Sequence, residues 1–155
     1  MAEKLKSPPR IKVLEALGCI ADKRIKEVSN NKAIVVSSDG SRKYCVYVDI
    51  EKRIVYSDDN GTKYRRYVGY PIIAFLMIKG YLRYNEDIAK ALAGIPWKVL
   101  NEKYKNYQIV ENIVKEKAKQ NGVSPETLDS FVDDVLKQLI KLSLVYDDKY
   151  GKCLT

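Results

Sequence analysis

The stretch Ala33-Ile34-Val35-Val36-Ser37-Ser38-Asp39-Gly40-Ser41-Arg42-Lys43-Tyr44-Cys45-Val46-Tyr47-Val48-Asp49 decides how this chain is read. Residues 32–37 are rich in Ile and Val, side chains that suit a pleated strand, and Ser38-Asp39-Gly40 supplies a tight turn. Residues 43–50 then alternate, with Tyr44, Val46 and Val48 on one face and Cys45 and Tyr47 on the other, the two-residue period of a half-buried strand. Residues 52–57 follow a corner at 49–52, and Asp58-Asp59-Asn60-Gly61 breaks the run. The pattern predicts an antiparallel β-meander of three strands, or four if residues 24–29 pair at its edge.

On the N-terminal side, Ile11, Val13, Leu14, Leu17 and Ile20 mark the apolar stripe of a helix with Gly18 near its end. Residues 1–10, charged and carrying Pro8-Pro9, read as a flexible tail. On the other side, a basic loop over 62–70 leads to Pro71, which opens a helix over 72–79, and Gly80 caps it. Helical signals dominate from there. Asn85 caps 86–93, Pro96-Trp97 starts a short helix to 104, residues 107–120 are amphipathic, and Ser124-Pro125 begins a long helix to 142. The last residues, 144–154, have room for a small terminal hairpin. The chain therefore reads as α+β: a small antiparallel β-meander with a packed helix, followed by an all-helical C-terminal region. Its parts are a flexible tail over 1–10, the meander and helix over 11–84, and the helical region over 85–155.

With 155 residues, 46% of them hydrophobic, the chain can bury a sizeable core and is not wholly disordered. No apolar run reaches the roughly 18 residues of a membrane span, and MAEKLKSPPR lacks the apolar stretch of a signal peptide, so the expected location is cytoplasmic, without membrane contact. The absence of histidine removes Ser-His-Asp and Cys-His catalysis and every zinc site that uses imidazole. Cys19, Cys45 and Cys153 lack the spacing of a metal knuckle or redox pair and read as small apolar residues; their spacing does not settle whether two of them pair. No cofactor, no metal and no enzymatic activity are expected. Abundant Lys, Ile and Tyr with little Gln is a bias shared with thermophile proteins.

Residues 24 to about 82 resemble the SWIM domain, a small β-meander followed by a helix. Ala33-Ile34-Val35-Val36-Ser37-Ser38-Asp39-Gly40 is similar to the family's first strand and glycine turn, and Tyr44-Cys45-Val46-Tyr47-Val48-Asp49 to its tyrosine-containing second strand. Gly69-Tyr70-Pro71-Ile72-Ile73-Ala74-Phe75-Leu76 is similar to its helix entry. The family's zinc ligands are missing. Its Cys-x-Cys pair falls on Ile54 and Tyr56, or on Val55 and Ser57 one register away, and its Cys-x-His pair on Gly69 and Pro71, or is deleted. The resemblance implies a degenerate, zinc-independent module in which apolar packing replaces the metal, and a role in DNA-linked or protein-linked interactions such as recombination.

Charge is divided unevenly. Residues 1–100 hold 19 Lys and Arg against 11 Asp and Glu, whereas residues 101–155 hold 9 of each, so a polyanion partner should dock on the first two thirds. The sharpest local feature is Lys63-Tyr64-Arg65-Arg66-Tyr67, where cations suited to phosphates alternate with rings that either stack on unpaired bases or fold inward as core lids. A second basic set is Lys23, Arg24 and Lys26; with Arg42-Lys43 and Lys52-Arg53 it forms either a positive face or the charged protection of strand edges. Asp58-Asp59 and Asp147-Asp148 suit turns, and adjacent Asp133-Asp134 on a helix diverge too far to share a metal. Trp97 reads as a packing anchor. The helix over 125–142 would present Glu126, Asp129, Asp133 and Asp134 to phosphates, which excludes it as a groove reader of winged-helix type. The expected function is a non-catalytic nucleic-acid-associated accessory protein of DNA replication, recombination or repair, DNA ahead of RNA. A protein partner is expected at the helical C-terminal region. The alternative is a scaffold module that binds protein and no nucleic acid.

Overall fold

A computed structural model describes residues 2–151. Among them the elements run β1 (Ala2–Lys4), α1 (Arg10–Ala21), β2 (Ile25–Ser29), β3 (Lys32–Val36), β4 (Lys43–Asp49), β5 (Ile54–Ser57), α2 (Asn60–Arg65), α3 (Tyr70–Ile78), α4 (Glu86–Ala91), α5 (Trp97–Tyr104), α6 (Tyr107–Gln120), α7 (Pro125–Leu142) and β6 (Val145–Asp147). The architecture is α+β.

The meander has four strands, β2 to β5, each antiparallel to the next, with β2 as the exposed edge. Register places Val35 opposite Tyr44 and Ala33 opposite Val46, so Ala33, Val35, Val46 and Val48 all face the core, as the alternation requires. The sheet then grows beyond the meander to the order β1-β6-β5-β4-β3-β2. β6 lies parallel to β5, and β1 lies antiparallel to β6, with Ala2 opposite Asp147.

Two expectations are corrected here. Residues 2–10 are not a flexible tail: β1 closes the sheet edge, Leu5 is buried, and the Leu5 amide donates to the Leu144 carbonyl at 2.9 Å. Short strands carry little signal of their own, and the partner of β1 lies more than 140 residues away. The stretch expected as a terminal hairpin pairs instead with β5 and β1 through β6; residues 152–154 lie outside the described residues. One buried apolar cluster runs from Leu5 to Tyr146, across the division expected at 84/85.

α3, Tyr70–Ile78, is apolar around its whole circumference because the sheet covers one side and α1 the other. α1 is in turn packed by α3, α4, α6 and α7, which makes it the central helix of the molecule. Its residues Ile11, Val13, Leu14, Ala16 and Leu17 are buried, and so is one carboxylate, Glu15. On α7 the stripe Leu128, Phe131, Val132, Val135 and Leu139 is buried against this core. Asp133 and Asp134 diverge as expected, the first toward Arg10 and the second toward Arg83. No helix among the described residues is long and apolar enough to cross a membrane.

Candidate nucleic-acid interface

The segment over 62–70, expected as a basic loop, begins inside a helix. The breaker Asp58-Asp59-Asn60-Gly61 is both a strand stop and a helix start: the Asp59 carboxylate accepts the Thr62 amide at 3.1 Å as N-cap of α2. Asp59 is buried, takes a further bond from the Ser57 hydroxyl, and lies against Gly69, whose lack of a side chain leaves room for it. Burial pushes the Asp59 carboxyl above the usual range, although the bonds from Ser57 and Thr62 pull the other way. Asp58 accepts the Cys45 amide at 2.8 Å, so this acidic pair ties β4, β5 and α2 together.

α2 separates the five residues 63–67. Lys63, Tyr64 and Arg65 are exposed, Tyr64 at 72%, with the Lys63 ammonium 5.5 Å from the Tyr64 ring centre. Arg66 turns the other way through a left-handed cap at φ 56°, pairs with Glu3 at 3.1 Å and lies 4.0 Å over the Tyr146 ring. Tyr67 folds inward onto Gly61. Of the second set, Lys23 and Lys26 are exposed, whereas Arg24 donates to the Val36 carbonyl at 2.8 Å and stacks over Tyr70. Arg24, Arg66 and Tyr67 are therefore engaged by other parts of the fold, and the two basic sets do not form one site.

Arg65 and Tyr67 do meet other residues, in a cleft of about 600 Å3 where α1, α2, α5 and the ends of β3 and β4 converge. Its cations are Lys12, Arg42, Arg65, Lys98 and Lys105, and its rings Tyr44, Tyr67, Tyr70, Trp97 and Tyr107. Lys98 is fixed at the rim by Asp39 at 3.5 Å and Ser41 at 2.6 Å. Arg42 lies over Tyr44 at 5.5 Å, and Arg65 and Lys105 have no ion pair among the described residues. On the floor, Lys12 Nζ donates to Glu15 Oε1 at 3.1 Å, and Asn101 Nδ2 donates to the same oxygen at 3.0 Å. The Lys12 ammonium also lies 5.1 Å from the Tyr107 ring centre. Burial opposes the charge on Lys12, but the Glu15 carboxylate and the Tyr67 and Tyr107 hydroxyls outweigh it, so its pKa is raised and the amine stays protonated. Trp97, 2% exposed, packs its ring edge on Gly18, the anchor role expected of it.

Reasoning from the sequence missed most of this cleft. Its members come from positions 12 to 107, and only tertiary packing gathers them. One signal was legible: Lys12 and Glu15, three residues apart, interrupt the apolar stripe of α1. A charged pair on the buried side of a central helix needs a polar reason, and the cleft supplies it.

The family model described as "Uncharacterised conserved protein UCP014422" matches residues 5–145, and the chain belongs to that family. No curated protein and no solved structure matches.

Proposed function

We propose that this chain, as a member of that family, is a non-catalytic nucleic-acid-associated accessory protein, DNA ahead of RNA, acting in the cytoplasm in replication, recombination or repair. The observation that carries the reading is the placement of Arg42, Arg65 and Lys105 at the mouth of one ring-lined cleft, with Lys63 and Tyr64 exposed beside it. Phosphates suit such cations, and the rings offer flat apolar faces to unpaired bases, so single strands are favoured over duplex. A binding rather than catalytic role is supported by the state of two of the cleft's ionisable groups, Lys12 and Asp59. Lys12 is held as an ammonium by Glu15, and both Asp59 oxygens accept bonds that build α2, which leaves neither a free amine nor an unengaged Asp59 to act as nucleophile or base. A meander followed by the apolar helix α3 supports the likeness to a zinc-free SWIM-type module over 24–82 as part of the same proposal.

The test is binding of a single-stranded DNA across a salt series. Replacing Arg42, Arg65 and Lys105 together by Ala should weaken binding to every sequence and flatten the salt slope by about two units. An unaltered slope would place the contact elsewhere, first on Lys23 and Lys26.

A second reading, protein docking through the helical region, is favoured by Ile109 and Ile113, one turn apart on α6 and 42% and 37% exposed. The α7 stripe is not available for it, being buried in the core. No binding of DNA or RNA at low salt would favour this reading.

A further inference from the structure

The floor of the cleft differs from its rim. At the rim, Arg42, Arg65 and Lys105 are exposed, as a sequence-tolerant strand-binding surface requires. The floor holds a carboxylate on the central helix, Glu15, only 3% exposed. Glu15 Oε1 is satisfied by Lys12 and Asn101, whereas Oε2 has no hydrogen-bond partner among the described residues. Beside it, the Lys12 ammonium has one bond to Glu15 and N–H groups to spare. Glu15 Oε2 is not among the fully buried atoms without a partner, which in this cleft are Asn101 Oδ1 and Trp97 Nε1, so it opens onto the cleft and a donor that enters can reach it. The floor thus presents an acceptor and a cationic donor side by side, beneath Tyr44, Tyr67 and Tyr107, with Arg42, Arg65 and Lys105 at the mouth.

We infer that this cleft is a pocket for a single nucleotide: its planar base enters between the tyrosines and offers an N–H donor to Glu15 and an acceptor to Lys12, while its phosphate stays at the mouth with Arg42, Arg65 and Lys105. The inference rests on the nucleic-acid reading above and deepens it. All common bases carry a donor beside an acceptor on one edge, so the pocket demands a base without choosing among them. A volume of about 600 Å3 lies within the range of small-ligand sites, roughly 300–1,000 Å3. The same chemistry is carried by an unpaired nucleotide of a strand and by a free nucleotide, and the experiment separates these sources.

The full chain is titrated by fluorescence anisotropy with a labelled mixed-sequence single-stranded 12-mer and with an abasic 12-mer of the same charge. Calorimetry follows individual nucleoside monophosphates and inorganic phosphate. Stacking of one base predicts that the mixed strand binds about tenfold to a hundredfold more tightly than the abasic one. Tyr107→Leu, at a 42% exposed position on α6, should bring the mixed strand toward the abasic level without changing abasic binding. Equal binding of both strands by the wild type would overturn the pocket and leave the strand reading standing. Binding of monophosphates but of neither strand would retain the pocket, with a free nucleotide as its occupant, and end the strand reading. Inorganic phosphate binding as tightly as the monophosphates, or no binding of any probe, would overturn the inference. The single tryptophan, Trp97, lies in the cleft wall, so a saturable change in its emission should accompany binding of any base-bearing probe and not of phosphate.

Discussion

Gly69→Ala tests how the cleft is built. Gly69 is the N-cap of α3 at φ −72°, ψ 162°, extended backbone that alanine adopts freely, so a local view expects almost no effect. Tertiary packing says otherwise. A Cβ there would sit 2.1 Å from Asp59 Oδ2 and 2.6 Å from both Cγ and Oδ1. The carboxylate cannot swing away cheaply, because the Ser57 hydroxyl and the Thr62 amide hold its two oxygens and Asp59 is only 6% exposed. The Gly69 amide is itself bonded to Thr62 Oγ1 at 3.0 Å, so the backbone cannot retreat without a second loss. Overpacking costs about 1–3 kcal/mol and loss of the α2 cap about 1 kcal/mol. The expected destabilisation is therefore about 2–4 kcal/mol, a fall in Tm of about 4–16 °C for a chain of this size. Urea unfolding followed by circular dichroism measures it. The same substitution in an Asp59→Ala background should cost about 1 kcal/mol or less, because the obstructing carboxylate is gone. A cost below about 0.5 kcal/mol in the wild type, or an equal cost in both backgrounds, would refute the account of how α2 is held.

Phe131 is 1% exposed on α7, so Phe131→Ala should cost about 3–5 kcal/mol in denaturant unfolding, whereas Ile140→Ala, at 66% exposure on the same helix, should change stability by less than about 0.5 kcal/mol. Glu15→Gln leaves the Lys12 ammonium buried without its counter-charge and should cost about 3 kcal/mol or more. Because Lys12 has a raised pKa in the folded state, its contribution is complete below the unfolded value of about 10.4 and declines as pH rises beyond it. The stability gap between wild type and Glu15→Gln should therefore narrow above about pH 10.4, and a constant gap in urea midpoints at higher pH would contradict this. Arg66→Ala should cost about 1 kcal/mol through Glu3 and Tyr146 while leaving DNA affinity within twofold, the reverse of Arg65→Ala. The Cys19 thiol, buried and pushed up to about 12 chiefly by desolvation, should resist a thiol reagent until the chain unfolds, and rapid labelling of it in native buffer would count against the buried position.

Local chemistry was enough for the meander and for most helices. Val46 and Val48 face inward because side chains alternate along any strand, and Ser124 and Asn85 start helices because each hydroxyl or carboxamide oxygen accepts a nearby amide, whatever the rest of the chain does. The charge division, too, could be counted before any folding was known. The sequence left open where the Lys63–Tyr67 side chains go. Whether a cation is spent or free depends on what meets it: Glu3 and Tyr146, distant in the chain, engage Arg66, while its neighbour Arg65 has no ion pair among the described residues. Tyr67 becomes a core lid only because α2 brings Gly61 beneath its ring. β1 exists because β6 offers it an edge, and a three-residue strand has no stability to announce in isolation. The cleft is the extreme case. Lys12, Asp59 and Tyr107 carry no shared motif, and burial around α1 gives Lys12 and Glu15 a charge environment that no window of sequence contains, since it is set by groups that only the folded chain brings within a few ångströms.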